Sequence, residues 1–115
     1  MDINPTCRGR DKVAVDDICG LWEVIRIQER SGKLVSHPWI TDRYKFNFLP
    51  EMIFLQLKDG NNSHGTWKLL ENARNPSQRY AILLDGKKKF RILSYCEEDM
   101  ILSDGNRDFI LIRRL

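Results

Sequence analysis

The fold is decided by the stretch Gly20-Leu21-Trp22-Glu23-Val24-Ile25-Arg26-Ile27. Its glycine gives the backbone the freedom to leave a turn, and the apolar and β-branched residues after it favour a strand. Just before it, Asp16 or Asp17 can cap a single helical turn. We therefore predict a first strand from the glycine to about Arg30, and expect the later strands to close around the indole of Trp22.

Further strands are indicated by alternating apolar and polar residues between clusters of turn-forming residues. The clearest turns are Asp85-Gly86, Asp104-Gly105-Asn106 and the Pro50-Glu51 hairpin, and a longer polar loop is predicted over Asp59–Ser63. Residues 34–40, which contain a proline, form either a short edge strand or a loop. The remaining predicted strands cover residues 44–48, 52–57, 65–70, 79–84, 90–95, 100–103 and 108–114.

The short connections determine how these strands pair. Parallel neighbours need a crossover of about a dozen residues or more, so consecutive strands joined by a few residues are antiparallel. The sequence thus predicts an all-β protein, an up-and-down meander of about eight strands. Pairing the last strand with the first removes both exposed edges, which favours a closed or nearly closed barrel. We assign residues 16–115 to this single domain and residues 1–15 to a flexible N-terminal arm.

Two features resemble the lipocalin-like families. Gly20-Leu21-Trp22 stands where their G-x-W opening would be, and Arg113 or Arg114 ends the last strand, where a basic residue packs over that tryptophan. The resemblance covers about residues 17 to 115 and is greatest to the compact bacterial lipocalin-like domains with a calycin-type barrel. It implies that Gly20, Trp22, Arg113 and Arg114 close one end of the barrel. The chain departs from full lipocalins in its short length and in lacking their long helix.

Composition excludes several classes of protein. The net charge of +3 is small and evenly spread, so nucleic acid is not an expected partner, and the run Lys87-Lys88-Lys89 with Arg91 is interpreted as a solvated hairpin tip. No apolar run approaches the about 20 residues of a membrane span. As written, the sequence shows no export signal, which favours the cytoplasm; the alternative is a periplasmic or secreted protein whose signal has been removed.

No constellation of residues points to catalysis, a metal or a cofactor. Cys7, Cys19 and Cys96 lack zinc-ligand spacing and are odd in number, so buried or free thiols are expected. His37 and His64 lie in turn-like segments without carboxylate or cysteine partners at ligand spacing. The acidic run Glu97-Glu98-Asp99 is not a calcium loop. The protein is therefore expected not to be an enzyme.

The leading functional hypothesis is a non-enzymatic binding protein that holds a small hydrophobic molecule in the barrel, at the open end opposite Trp22. The alternative is a protein–protein interaction module with a filled barrel, because an eight-stranded interior is just wide enough for side chains to fill it. The candidate ligand-binding residues are the aromatic ones on the predicted inner face: Tyr44, Phe46, Phe48, Trp67, Tyr80 and Phe90.

A final expectation concerns the outside of the barrel, where several strands are apolar on both faces. If Trp22 and Phe109 face inward, strand alternation places an apolar patch outside, made of Leu21, Ile25, Ile27, Ile110 and Ile112 with Ile53, Leu55 and Leu57. Monomers seldom expose a patch larger than a few hundred Å². Either the arm covers it, or a second copy does so in a homodimer.

Overall fold

The computed structural model describes residues 12–29, 44–72, 74 and 79–114, and these residues form eight strands and one helical turn. The predicted segment 34–40, His37 and residues 1–11 of the predicted arm lie outside these described residues. The elements are α1 (Val15–Ile18), β1 (Gly20–Glu29), β2 (Tyr44–Phe48), β3 (Ile53–Lys58), β4 (Asn61–Glu71), β5 (Tyr80–Leu84), β6 (Lys88–Tyr95), β7 (Asp99–Ser103) and β8 (Arg107–Arg114).

The strands follow one another around a closed barrel in chain order. Every neighbouring pair is antiparallel, and β8 returns to pair with β1, where Trp22 lies opposite Arg113. The all-β class, the meander of eight strands and the closure are therefore confirmed. Closure satisfies both edges of the sheet by hydrogen bonds, and it gives eight short strands a common interior in which to bury their apolar faces.

An up-and-down meander places the strand ends alternately at two ends of the barrel. The first, which we call the closed end, contains α1, the start of β1 and the end of β8, and therefore Trp22 and Arg113. The second, which we call the mouth, contains the last residues of β1 and β3 and the first residues of β2, β6 and β8. In order these mouth residues are Glu29, Lys58, Tyr44, Lys88 and Arg107.

The helical turn at the closed end differs in detail from the prediction. The N-cap position is held by Ala14 and not by one of the aspartates. Asp17, three residues later, accepts a hydrogen bond from the Ala14 backbone N–H at 2.8 Å. Ile18 at the end of this turn is fully buried in the core. Val13, within the predicted arm, is also buried there, so the described part of the arm contributes to the core.

Strand β4 begins earlier than the sequence indicates. Asp59 and Gly60, both at positive φ, make the whole turn, so residues 61–63 of the predicted loop join the strand. Its first half pairs with β3 and its second half with β5. Gly65 lies at the changeover, where the Asp85 carboxylate accepts the Thr66 N–H at 2.9 Å and occupies the space that a Cβ would need.

One predicted side-chain orientation is wrong because a β-bulge lies between Val24 and Arg26. The extra residue shifts the alternation of β1, so Ile27 faces the interior and is buried, not outside as predicted. Beyond the bulge Ile27 lies opposite Phe109, which is also buried. The predicted outer apolar patch therefore loses one member, while Ile53 and Leu55 remain clearly exposed on β3.

The prediction for the cysteines is wrong for Cys96. This residue is disulfide-bonded and buried, and its partner lies outside the described residues. Cys19 is a free thiol, as expected, and burial raises its pKa, with the nearby Asp16 adding to the effect. Spacing along the chain could not reveal the bond, because a disulfide reports proximity in the fold and not in sequence.

Candidate ligand-binding site

A continuous set of aromatic rings fills much of the described barrel interior. Phe46 is at its centre: its ring centroid lies 5.2 Å from that of Tyr44, 5.6 Å from that of Phe48 and 6.3 Å from that of Phe90. The ring centroid of Phe48 in turn lies 5.2 Å from that of Trp67. All five residues are buried. Offset and edge-to-face contacts of this kind add about 0.5–1.5 kcal/mol per pair to the burial of the rings.

Toward the mouth the set ends in a cluster of three rings that includes Phe109, which is not one of the six predicted ligand-binding residues. Phe109 lies 5.6 Å from Phe90 and 6.1 Å from Tyr44, in both cases edge to face. The neighbouring inner-face residue of β3 is Gln56, which lies opposite Phe46 and is only half-buried. The partial exposure of Gln56 indicates that solvent reaches this position of the inner face.

Three cations stand over these rings. The Lys58 Nζ lies 5.3 Å from the Tyr44 centroid, and the Lys88 Nζ lies 5.1 Å from that of Phe90. The guanidinium of Arg107 lies 5.4 Å from the centroid of Phe109. Lys88 and Arg107 each stand two residues before the ring residue that they cover, and Lys58 lies opposite Tyr44 in the register of β2 and β3. Strand alternation therefore directs all three side chains toward the inner face at the mouth.

The Asp104 carboxylate lies beside these cations. Asp104 accepts the backbone N–H groups of Asn106 and Arg107 at 2.9 and 2.8 Å, and its second oxygen lies 3.7 Å from the Arg107 guanidinium. Burial opposes ionisation of Asp104, but these N–H groups together with the charges of Arg107 and Lys88 outweigh it and lower the pKa of the carboxyl. The loop therefore holds a charged Asp104 beside the cations.

The phenol of Tyr44 is in the opposite situation. Burial raises the pKa of Tyr44 to about 12, and Asp104 adds to the shift while Arg107 opposes it. Tyr44 therefore stays neutral at physiological pH, and the positive charges of the rim have no phenolate partner beneath them.

The closed end is held by Trp22 and Arg113. The indole is fully buried, its Nε1–H donates to the Ile18 carbonyl at 2.8 Å, and the Arg113 guanidinium lies 4.2 Å from the ring centroid. Arg113 also donates to the carbonyls of Asp17, Cys19 and Glu97 at 2.6, 2.7 and 2.7 Å. One side chain thus ties β8 to α1 and to the β6–β7 turn.

The other two predicted closure residues have different roles. Gly20 adopts φ +129°, and a Cβ there would lie 2.6 Å from the Arg113 Nη1, so glycine is required both by the backbone and by the close approach. Arg114 faces outward, away from the indole. Its Nε lies 2.5 Å from an oxygen of Glu23, a carboxylate that is almost fully buried on the outer face of β1.

The structure brings five of the six predicted ligand-binding residues together and separates the sixth. Tyr80 begins β5 and therefore lies at the closed end, where the Arg79 guanidinium stands 5.4 Å from its ring centroid. Its hydroxyl is buried and has no hydrogen-bond partner among the described residues. Phe48 and Trp67 lie nearer the closed end as well: the Trp67 Nε1–H donates to the carbonyl of Leu49, just after β2, at 3.0 Å.

The run Lys87-Lys88-Lys89 is divided by the β5–β6 hairpin. Lys87 is in the turn, Lys88 begins the inner-face positions of β6, and Lys89 faces outward opposite Leu83. All three lysines are exposed, as a solvated hairpin tip requires, and Lys88 in addition places its Nζ over the ring of Phe90. The sequence signal for this position of Lys88 is its spacing of two residues from Phe90, which places both residues on the same face of the strand.

The other polar residues that the sequence singled out, where the structure describes them, lie apart from the mouth. His64 is exposed on the outer face of β4, and Glu97 and Glu98 border a cleft of about 560 Å³ at the closed end with Arg113. Within the described ranges, no three or more histidine, cysteine, aspartate or glutamate side chains are grouped to hold a metal ion. No helix in the described part of the chain is long and apolar enough to span a membrane.

The barrel, its closed end and its aromatic interior define the class of fold, which is that of the lipocalin-like proteins. The resemblance drawn from Gly20-Leu21-Trp22 and the terminal arginines is confirmed at this level. No protein-family profile matches the sequence, and no curated protein is significantly similar to it.

Two solved structures show the likeness in detail. A lipocalin-like protein from Bacteroides uniformis is 16% identical with a TM-score of 0.59, and the match covers 85% of this chain and 99% of that one. An uncharacterized protein from Bacteroides eggerthii is 15% identical with a TM-score of 0.58, over 84% of this chain and 98% of that one. At these identities the comparison establishes the fold and carries no ligand from one protein to the other.

Proposed function

We propose that this protein is a non-enzymatic binding protein that takes up a small hydrophobic molecule at the mouth of the barrel. The observation that supports the proposal best is the arrangement of Tyr44, Phe90 and Phe109, whose rings meet beneath an end of the barrel where Gln56 is reached by solvent. Rings that meet edge to face offer an apolar surface to a flat or slender group, as small-molecule sites do.

The interior toward the closed end does not take part in this function. Trp22, Phe48 and Trp67 are almost completely buried, and they make hydrogen bonds or ring contacts with the protein itself. Removing them for a ligand would cost packing that amounts to several kcal/mol per ring. The proposed site is therefore shallow and lies in the half of the barrel near the mouth.

The experiment is a thermal-shift screen with fatty acids, fatty alcohols, retinoids and haem-like compounds. A ligand at one hundred times its Kd stabilises the native state by about 2.7 kcal/mol, which is readily measured as a rise in Tm. The absence of a saturable rise with every compound would contradict the proposal.

Two variants of adjacent β3 residues locate the site. Gln56→Trp fills the half-exposed inner-face position and is expected to abolish the ligand-induced rise in Tm, because it occupies the proposed space. Leu55→Gln changes the outer face at the next residue and is expected to leave the rise unchanged. Equal effects of the two substitutions would place the ligand elsewhere.

A second candidate function is a protein-interaction module, favoured by one observation on the outside of β3. Ile53 and Leu55 are 39% and 44% exposed on the same face of that strand. The same Leu55→Gln variant tests this candidate: light scattering at micromolar concentration should show an assembly of the wild-type chain that the variant loses. A monomeric wild-type chain would leave no support for a homodimer through this face.

A further inference from the structure

The inference concerns the charge of the ligand, and it rests on the proposed function. Lys58, Lys88 and Arg107 converge on the mouth from three different strands, each over a ring of one connected aromatic cluster. Among the described residues, neither lysine has a carboxylate within ion-pair distance, whereas Arg107 has Asp104. A ring face attracts a cation from one side only and leaves ammonium N–H donors available to an incoming anion.

The described carboxylates at the mouth form no ion pair with either lysine. Both lone-pair directions of one Asp104 oxygen are used by backbone N–H groups, and its other oxygen faces Arg107. Glu29 is the register partner of Arg107 on β1, but no ion pair joins them. Among the described residues, Lys58 and Lys88 are therefore rim cations that no ion pair holds, although the Asp104 carboxylate attracts Lys88 from beyond ion-pair distance.

We propose that the natural ligand is an amphiphilic anion, with an apolar part against the rings of Tyr44, Phe90 and Phe109 and a single anionic group between Lys58 and Lys88. Carboxylate, sulfate and phosphate esters share the required chemistry. A neutral molecule with the same apolar part fills the same space but gains nothing from the lysines, so the head group confers selectivity.

The test compares decanoate with decan-1-ol, which share the ten-carbon chain and differ in charge. Isothermal titration at low salt, below the micelle concentration of decanoate and below the solubility limit of decan-1-ol, is expected to show tighter binding of decanoate to the wild-type chain. Lys58→Gln and Lys88→Gln are each expected to weaken decanoate about threefold to fivefold, the range expected for one exposed ion pair, and to leave decanol unchanged.

Two further variants make the test specific to the mouth. Lys89→Gln removes the same charge from the adjacent residue, which faces outward, and is expected to have no effect on either compound. Glu29→Gln removes a negative charge from the rim and is expected to strengthen decanoate binding. Measuring the affinities of sodium decyl sulfate and decyl phosphate beside that of decanoate ranks the three anionic head groups.

The outcomes separate this inference from the proposed function. Equal binding of decanoate and decanol, with no effect of Lys58→Gln or Lys88→Gln, would overturn the inference and leave the proposed function intact. A loss with Lys89→Gln equal to that with Lys88→Gln would overturn it too, since general surface charge would then be responsible. Binding of neither compound to the wild-type chain would contradict both.

Discussion

Replacing Arg113 by lysine should destabilise the barrel more than replacing its neighbour Arg114. The guanidinium of Arg113 donates from three different nitrogens to the carbonyls of Asp17, Cys19 and Glu97. A lysine ammonium keeps the positive charge over the Trp22 ring. It has only one nitrogen, however, and cannot reach the three carbonyls that the three nitrogens of the planar guanidinium reach together. The substitution therefore isolates geometry from charge.

The magnitude follows from the number of bonds lost. Lysine retains one of the three carbonyl contacts, and each of the two that it loses contributes about 1–1.5 kcal/mol, so Arg113→Lys should cost about 2–3 kcal/mol. For a domain of this size that corresponds to a fall in Tm of about 8–12 °C. Arg114→Lys keeps the positive charge beside the Glu23 carboxylate and loses at most one hydrogen bond, so it should cost about 0.5–1.5 kcal/mol.

Urea unfolding followed by far-ultraviolet circular dichroism measures both variants, with the free energy of unfolding taken from the midpoint and slope. The order of the two losses is the decisive result. If Arg114→Lys were as costly as Arg113→Lys, or if Arg113→Lys cost less than about 1 kcal/mol, the closed end would not be held in the way described.

Trp22→Ala should lower the free energy of unfolding by about 3–5 kcal/mol, because it empties a fully buried site; a urea midpoint equal to wild type would contradict this. Alkaline titration at 295 nm should show one tyrosine ionising near pH 12, absent in Tyr44→Phe. Because the pKa of Tyr44 is raised on folding, its contribution to stability is complete below about pH 10 and is lost as the pH rises through 12; a Tyr44→Phe protein with an unchanged titration curve would refute the assignment. Cys96→Ser should cost about 2–4 kcal/mol and remove the sensitivity of the wild-type Tm to reductant. A wild-type Tm that is insensitive to reductant would count against a stabilising disulfide, and a sensitive one favours an oxidising compartment over the predicted cytoplasm.

Short-range features made the fold predictable. The Asp85-Gly86 and Pro50-Glu51 turns mark hairpins, and a chain of hairpins has few ways to bury its inner faces other than closing. The same alternation placed Phe46 and Phe90 inside correctly. It failed at Ile27, because a bulge is set by the tertiary pairing of β1 with β8 and leaves no clear local signal.

The candidate site was only partly predictable, for a related reason. Aromatic residues are conspicuous in sequence, so Tyr44 and Phe90 were identified, whereas Lys58 and Lys88 were not, since lysine is ordinarily solvated. Their significance arises only when three strands bring their ends together over a common set of rings. Tyr80 lies apart from the mouth for a related reason: alternation indicates the inner face of a strand but not the end of the barrel.

Chemical-shift mapping by two-dimensional NMR during a titration with decanoate tests the central claim most directly. We predict saturable shifts of signals from the mouth, at Tyr44, Gln56, Phe90 and Phe109, with small or no shifts around Trp22 at the closed end. Saturable shifts confined to the outer face of β3, around Leu55, or the absence of any saturable shift with decanoate and with decanol, would contradict a ligand site at the mouth.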